Sequence, residues 1–152
     1  MFAYADLTLY DRSGHLTAVA EIKNKRGTSS EWASQMRRNL LAHGGPCNVD
    51  FFLLITPDRL YLWKDTGPDP VCTPPTYEAD PQPAFAPYFE RAGVAPHQVS
   101  GPAFELLVAA WLGDVIRSTE PPEERPDDQS WLAESGFRTA VKDGRIEYEA
   151  VA

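Results

Sequence analysis

An alternating stretch near the start of the chain, ADLTLYDRSGHLTAVAEIKNK, constrains the fold most strongly. Residues 5–11 and 16–23 alternate between apolar and polar side chains, as β-strands with one buried face do. Ser13 and Gly14 between them are typical of a tight turn. The sequence therefore predicts an antiparallel β-hairpin.

The turn also predicts how the two strands pair. A two-residue turn places Asp6 opposite Glu21, and Lys23 lies on the same face as both acids because side chains alternate along a strand. A slip of one residue would put the two apolar patterns out of phase. The expected apolar face contains the pairs Leu7–Ala20, Leu9–Ala18 and Ala5–Ile22.

A helix is expected directly after the hairpin. Thr28 and Glu31 have the spacing of a capping box, which satisfies free N–H groups in a first helical turn. The predicted helix covers residues 29–42, and Gln35 lies at the edge of its apolar stripe. That stripe consists of Trp32, Ala33, Met36 and Leu40.

Two apolar runs follow this helix. Residues 49–55 are predicted to form a core strand and residues 59–64 a further strand, joined by a turn at Pro57 and Asp58. Residues 66–83 contain six prolines, and proline lacks the N–H group that helices and sheets use. This segment is predicted to be a loop or an extended crossover.

The C-terminal part is expected to be mainly helical. A short helix is predicted at about residues 86–92 and a buried helix at residues 102–117, before an exposed acidic link at 119–128. Residues 141–146 resemble a hairpin with an Asp-Gly turn. The length favours a single domain over residues 1–152. Its expected parts are a core (1–65), a proline-rich connection (66–99) and a C-terminal helix with the terminal hairpin (100–152).

The shared face of the hairpin has the composition of a metal site. Mg²⁺ prefers oxygen ligands and needs few from the protein when a substrate phosphate completes its shell. Asp6 and Glu21 supply two carboxylates, and the backbone carbonyl of Ile22 supplies a third oxygen. Lys23 is placed to orient or deprotonate an attacking water. These residues together predict phosphodiester hydrolysis.

The arrangement of Asp6 on one strand, Glu21-Ile22-Lys23 on the next and a helix immediately afterwards resembles the PD-(D/E)xK nuclease superfamily. The resemblance covers roughly residues 1–65. It implies an α/β restriction-endonuclease-like fold, with a mixed sheet flanked by helices. It also implies that Asp6 and Glu21 bind Mg²⁺ or Mn²⁺, that Lys23 assists the nucleophilic water, and that Gln35 matches a helix Gln used in some branches.

Two features depart from the family pattern. Ala5 stands where the motif has proline. The family core usually begins with a helix before the first strand, often with an acidic residue near the metal, and we expect this N-terminal helix to be missing because the motif Asp is residue 6. Both departures bear on activity more than on fold.

Charge patterning adds a nucleic-acid surface to the prediction. The net charge of −8 argues against a general nucleic-acid coat protein, because phosphate binding depends on Lys and Arg. A local basic cluster nevertheless follows the motif, and the side chains of Arg37 and Arg38 are expected to point away from the core. The predicted DNA contacts are Lys25, Arg26, Arg37 and Arg38.

Two functions remain open from the sequence. The first is a Mg²⁺-dependent endo- or exonuclease acting on DNA, as a homodimer or with a protein partner. The second is an inactive nuclease-like interaction protein that uses the helix at 102–117 and the acidic segment at 119–134. In the second case Lys23 is only a surface ion-pair partner of Glu21, a weak interaction.

The expected compartment is the cytoplasm, with no membrane association. The chain has no apolar stretch of membrane-spanning length and no signal-peptide pattern. Its two cysteines, Cys47 and Cys72, lack the paired spacing of a zinc site and are expected to be free thiols.

Overall fold

A mixed β-sheet organises the computed structural model, which describes residues 5–43, 49–67, 71–117 and 129–148. The expected α/β class with a mixed sheet and helices is confirmed. The strands are β1 (Leu7–Tyr10), β2 (Leu16–Ile22), β3 (Phe51–Ile55), β4 (Leu60–Lys64), β5 (Tyr77–Ala79) and β6 (Arg145–Tyr148). The helices are α1 (Ser30–Ala42), α2 (Gln82–Ala92), α3 (Gly101–Arg117), α4 (Trp131–Glu134) and α5 (Phe137–Val141), with a 3₁₀ turn at Pro96–Gln98.

The six described strands lie in the order β5-β4-β3-β2-β1-β6. β2 and β3 are parallel because α1 carries the chain back across the sheet between them. The other four neighbouring pairs are antiparallel. β2 therefore lies inside the sheet, with β1 on one side and β3 on the other.

The predicted hairpin register is confirmed over most of β1. Leu7 pairs with Ala20 and Leu9 with Ala18, as the alternating pattern requires. The predicted two-residue turn is wrong, because the backbone N–H of Asp11 donates to the carbonyl of His15 across a three-residue loop. Gly14 has φ +89° there, as three-residue hairpin loops demand. A bulge between Leu9 and Tyr10 absorbs the extra residue.

The sheet separates two apolar layers. The larger layer lies against α2, α3, α4 and α5 and includes Leu7 and Ile22. The smaller layer lies under α1 and includes Val19, Trp63 and Ala33. Ala5 belongs to this smaller layer, so the expected pairing of Ala5 with Ile22 on one face is wrong. The chain bends at Asp6, which interrupts the strand alternation.

The start of α1 differs from the prediction in its cap. Ser29 is the N-cap, and its Oγ accepts a hydrogen bond of 3.1 Å from the N–H of Trp32. Thr28 instead hydrogen-bonds through its hydroxyl to the Tyr61 hydroxyl at 2.8 Å. The predicted capping box is therefore wrong. Ser29 caps the helix, and the Thr28 side chain instead joins the loop to Tyr61 of β4.

The predicted C-terminal hairpin is also wrong. Residues 137–141 form α5, and the following turn leads into β6, which pairs with β1. Gly144 allows this close approach, since a Cβ there would lie 1.8 Å from the carbonyl oxygen of Tyr10. A local hairpin pattern cannot reveal that the partner strand lies at the other end of the chain.

The remaining elements follow the sequence more closely. The long helix is α3, and the shorter helix, α2, begins earlier than expected, at Gln82. The proline-rich connection contains the short edge strand β5. The acidic link at 119–128 and Cys47 lie outside the described residues, while Cys72 is exposed. No helix in the described parts has the length and apolar character to cross a membrane.

Arg37 contradicts the expected orientation of the basic residues on α1. Its side chain is only 2% exposed and lies over the rings of Phe52 and Trp63, at 5.9 and 5.7 Å. Its Nη2 donates to Thr66 Oγ1 at 2.8 Å and to the carbonyl of Gly67 at 3.0 Å. Arg37 therefore holds the loop after β4 against α1 and does not face a phosphate track.

We expect Arg37→Ala to lower the free energy of unfolding by about 2–4 kcal/mol, because it leaves a cavity and unpaired loop acceptors. Arg38 is the matched control, since it is exposed on the same helix, and Arg38→Ala should change stability by less than about 0.5 kcal/mol. Urea denaturation of both variants measures the difference. Equal effects would contradict the structural role of Arg37.

Candidate functional site

The candidate site lies at the C-terminal end of β2. Glu21 is in the strand, paired with Leu54 of β3, and Lys23 follows the last strand residue. The N–H of Lys23 donates to the carbonyl of Ile55 at 2.9 Å, which continues the pairing with β3 beyond the strand end. The backbone around both side chains is thus fixed by the centre of the sheet.

Asp6 joins this site through a side-chain hydrogen bond. Its Oδ2 accepts the backbone N–H of Ile22 at 2.7 Å. β1 begins only at Leu7, so the Asp6 carboxylate takes the place of a strand carbonyl at the end of the β1–β2 ladder. Buried N–H groups need such an acceptor. Asp6 therefore has a structural task in addition to any chemical one.

Glu21 is a buried acid between a like charge and an opposite charge. The residue is 7% exposed, and its Oε1 lies 3.2 Å from Nζ of Lys23. Burial, and then the negative charge of Asp6, raise the pKa of Glu21 from 4.5 to about 7, although Lys23 opposes the shift. The site thus holds more negative charge than Lys23 alone neutralises when both acids are ionised.

The residues fit a divalent cation that uses few protein ligands. Among the described residues, no group of three or more His, Cys, Asp or Glu side chains is placed to hold a metal. Asp6 and Glu21 provide two carboxylates, and Mg²⁺ is commonly held by one or two together with water and substrate phosphate. A cation there would offset the repulsion from Asp6, which adds to the effect of burial in raising the pKa of Glu21.

The predicted third oxygen ligand is the backbone carbonyl of Ile22. The N–H and C=O of one strand residue point to the same neighbouring strand, and the Ile22 N–H points to Asp6. The carbonyl therefore faces the Asp6 side of β2. The role of this carbonyl as a metal ligand stays a prediction.

Gln35, which the resemblance adds to the candidate site, lies on α1. It is exposed on α1 and lines a shallow groove with Ser34, Cys72 and Pro74. Neither Asp6 nor Glu21 lines that groove. The catalytic role that the resemblance implies for Gln35 stays a prediction.

The predicted basic residues divide into two groups. Lys25 and Arg26 are exposed in the loop directly after Lys23, and Nζ of Lys25 lies 5.5 Å from the Trp32 ring centre. Arg38 is exposed on α1. Arg37 is excluded from this surface by its burial. Lys25 and Arg26 are therefore the predicted DNA contacts that lie nearest to the site in sequence, and both are exposed to solvent.

Sequence reasoning missed the hydrogen bond between Asp6 and Ile22. The signal was present in the register, because β2 extends past the start of β1 and leaves a donor to be satisfied. It also missed the degree of burial of Glu21, which follows from packing on the inner strand and from the cover that α1 gives this face. The alternating pattern alone indicates only that this face carries polar as well as apolar side chains.

Comparison of the chain with protein-family models, with curated proteins and with solved structures found no match.

We expect the folded protein to lose stability as the pH rises from about 5 to 8 in the presence of a chelator. A carboxyl group whose pKa is raised by folding favours the folded state when protonated, so its contribution is complete below 4.5 and is lost as the pH passes about 7. The loss from Glu21 is at most about 3 kcal/mol.

Glu21→Gln should flatten this pH dependence and make the protein more stable than wild type at pH 8. The matched control is Glu31→Gln, since Glu31 is exposed on α1; this variant should keep the wild-type slope. Urea unfolding at several pH values measures both. A wild-type slope in Glu21→Gln would show that Glu21 is not the titrating group.

Proposed function

We propose that this protein is a metal-dependent nuclease that hydrolyses phosphodiester bonds in DNA, on a restriction-endonuclease-like sheet. The observation that supports this most directly is the meeting of Asp6, Glu21 and Lys23 at one end of β2. The crossover through α1 to a parallel β3 places the candidate residues on a rigid inner strand, as precise chemistry requires.

Asp6 and Glu21 would hold Mg²⁺ or Mn²⁺ together with the Ile22 carbonyl. When bound, the cation supplies positive charge to the phosphate and makes water a better nucleophile. The protein contributes the fixed direction of both carboxylates, because Asp6 is anchored on Ile22 and Glu21 on β2. Substrate phosphate and water complete the ligand set.

Lys23 is suited to act on the attacking water and on phosphate charge. Its side chain is 37% exposed, so it is open to substrate while its ammonium group contacts Glu21. As the ammonium, Lys23 orients the water and offsets negative charge that develops on the scissile phosphate. It can accept the proton of the water only as the neutral amine, after its own proton has passed to solvent. Lys25 and Arg26 extend this positive surface along the loop and would contact neighbouring phosphates.

The hairpin that carries the candidate site has a neighbouring strand along its outer edge. β6, from the C-terminal part of the chain, covers the outer edge of β1, and α3 packs against the same side of the sheet in the larger apolar layer. The hairpin that carries the candidate site is therefore supported on its outer side.

Metal binding provides the first test. Titration with Mn²⁺, followed by calorimetry, should show binding that strengthens as the pH rises from 6 to 8, because Glu21 must lose its proton. Asp6→Asn should abolish most of this binding while it preserves the fold, since an amide oxygen still accepts the Ile22 N–H. Unchanged Mn²⁺ affinity in Asp6→Asn would contradict the assignment.

Cleavage provides the second test. In assays with Mg²⁺ or Mn²⁺ on linear, single-stranded and branched DNA, Lys23→Ala should reduce the rate at least about a hundredfold. Its stability should change by less than about 1 kcal/mol, because Lys23 is a surface partner of Glu21. Lys23→Arg should also fail, since a guanidinium cannot accept a proton; rescue by arginine would indicate a purely electrostatic role.

The control for this assay is Lys64→Ala, which removes an exposed lysine at the end of β4 and should keep full activity. If the wild type binds no metal and cleaves none of the substrates, the nuclease proposal is wrong. The function would then be that of an inactive nuclease-like interaction protein.

A further inference from the structure

A second concave region lies between α2 and α3, and none of the candidate site residues line it. It is a groove of about 610 Å³. Leu106, Leu107 and Ala110 of α3 face Phe89 and Ala92 of α2 across it. Leu106 is 63% exposed, so this wall of the groove presents apolar surface to solvent.

One end of this groove is polar. The Tyr88 hydroxyl donates a hydrogen bond to Oδ2 of Asp114, and Nη2 of Arg117 donates to Oδ1 of the same carboxylate at 2.9 Å. The guanidinium of Arg91 lies 4.6 Å from the centre of the Tyr88 ring. Burial, and then Asp114, raise the pKa of Tyr88 to about 12, so its hydroxyl stays protonated.

The charges at this end do not balance. Arg91 and Arg117 supply two positive charges and Asp114 one negative charge. Asp114 is already paired with Arg117, and Arg91 forms no ion pair with any residue in the described ranges. The groove thus combines an apolar wall with one guanidinium that interacts with the Tyr88 side chain but has no anionic partner among the described residues, although the whole chain carries a net charge of −8.

We propose that the groove binds a small amphiphile, a hydrocarbon chain of medium length that ends in a carboxylate. The chain lies along Leu106 and Leu107, and the carboxylate pairs with Arg91. Guanidinium groups match carboxylates in a two-pronged geometry. The Tyr88 hydroxyl donates to Asp114 and also interacts with Arg91, but it is neutral and therefore leaves the positive charge of Arg91 without a counter-charge.

The size of the groove favours a small molecule over a protein. Its volume lies within the range of about 300–1,000 Å³ found for small-molecule sites. Twelve described residues line it, whereas a stable protein interface uses about 20–30 residues on each side. Burial of the exposed Leu106 by an alkyl chain supplies a favourable term that increases with chain length.

The test is calorimetric titration of the full chain with sodium decanoate below its aggregation concentration. We expect saturable binding at one site, and weaker binding of decan-1-ol, which has the same chain without the charge. Arg91→Gln should weaken decanoate binding about tenfold, as loss of a charged hydrogen bond predicts. Leu106→Gln should weaken both ligands at least about threefold.

Matched controls come from exposed residues elsewhere. Arg12→Gln removes an exposed arginine in the hairpin loop, and Val71→Gln removes an exposed valine; both should leave decanoate binding unchanged. Absence of saturable binding, equal affinity for decanoate and decan-1-ol, or wild-type affinity in Arg91→Gln would overturn the proposal. Binding of an amphipathic helical peptide, but not of decanoate, would also overturn it.

Discussion

The pairing of β2 with a strand on each side is the constraint on which the rest of the structure depends. β1 pairs with it in antiparallel fashion and β3 in parallel fashion, and the parallel pair requires the α1 crossover. Both apolar layers pack against this strand, Ala18 and Ala20 on one face and Val19 on the other. Because both edges of β2 are used, its residues have little freedom, and the side chains at its end are held in fixed directions.

This rigidity explains how Glu21 can be buried at an energetic cost. A carboxylate on an inner strand loses hydration, and Asp6 adds repulsion. The fold tolerates this because the Asp6 side chain also satisfies the Ile22 N–H and because Lys23 contacts Glu21. Groups that destabilise a fold in this way are characteristic of functional sites. The same residues therefore carry both a structural task and the proposed metal chemistry.

Arg37 and Arg91 show how one residue type serves opposite purposes. Arg37 is buried over two aromatic rings and joins α1 to the loop after β4. Arg91 is exposed and stacks on Tyr88, where it would pair with the proposed ligand. Helical periodicity did not predict the burial of Arg37, because it assigns buried positions to apolar residues. The aliphatic stem and planar guanidinium of arginine allow it to pack among aromatic rings all the same.

The sequence by itself determined the hairpin, its register from Leu7 to Leu9, helices α1 and α3, and the proximity of Asp6 to Glu21 and Lys23. These features follow from local periodicity and from pairing between neighbouring segments, which a short window contains. Only the tertiary structure decided that β6 pairs with β1, that Arg37 is buried and that α2 and α3 enclose a groove. These features depend on contacts between distant segments, whose geometry no local pattern encodes.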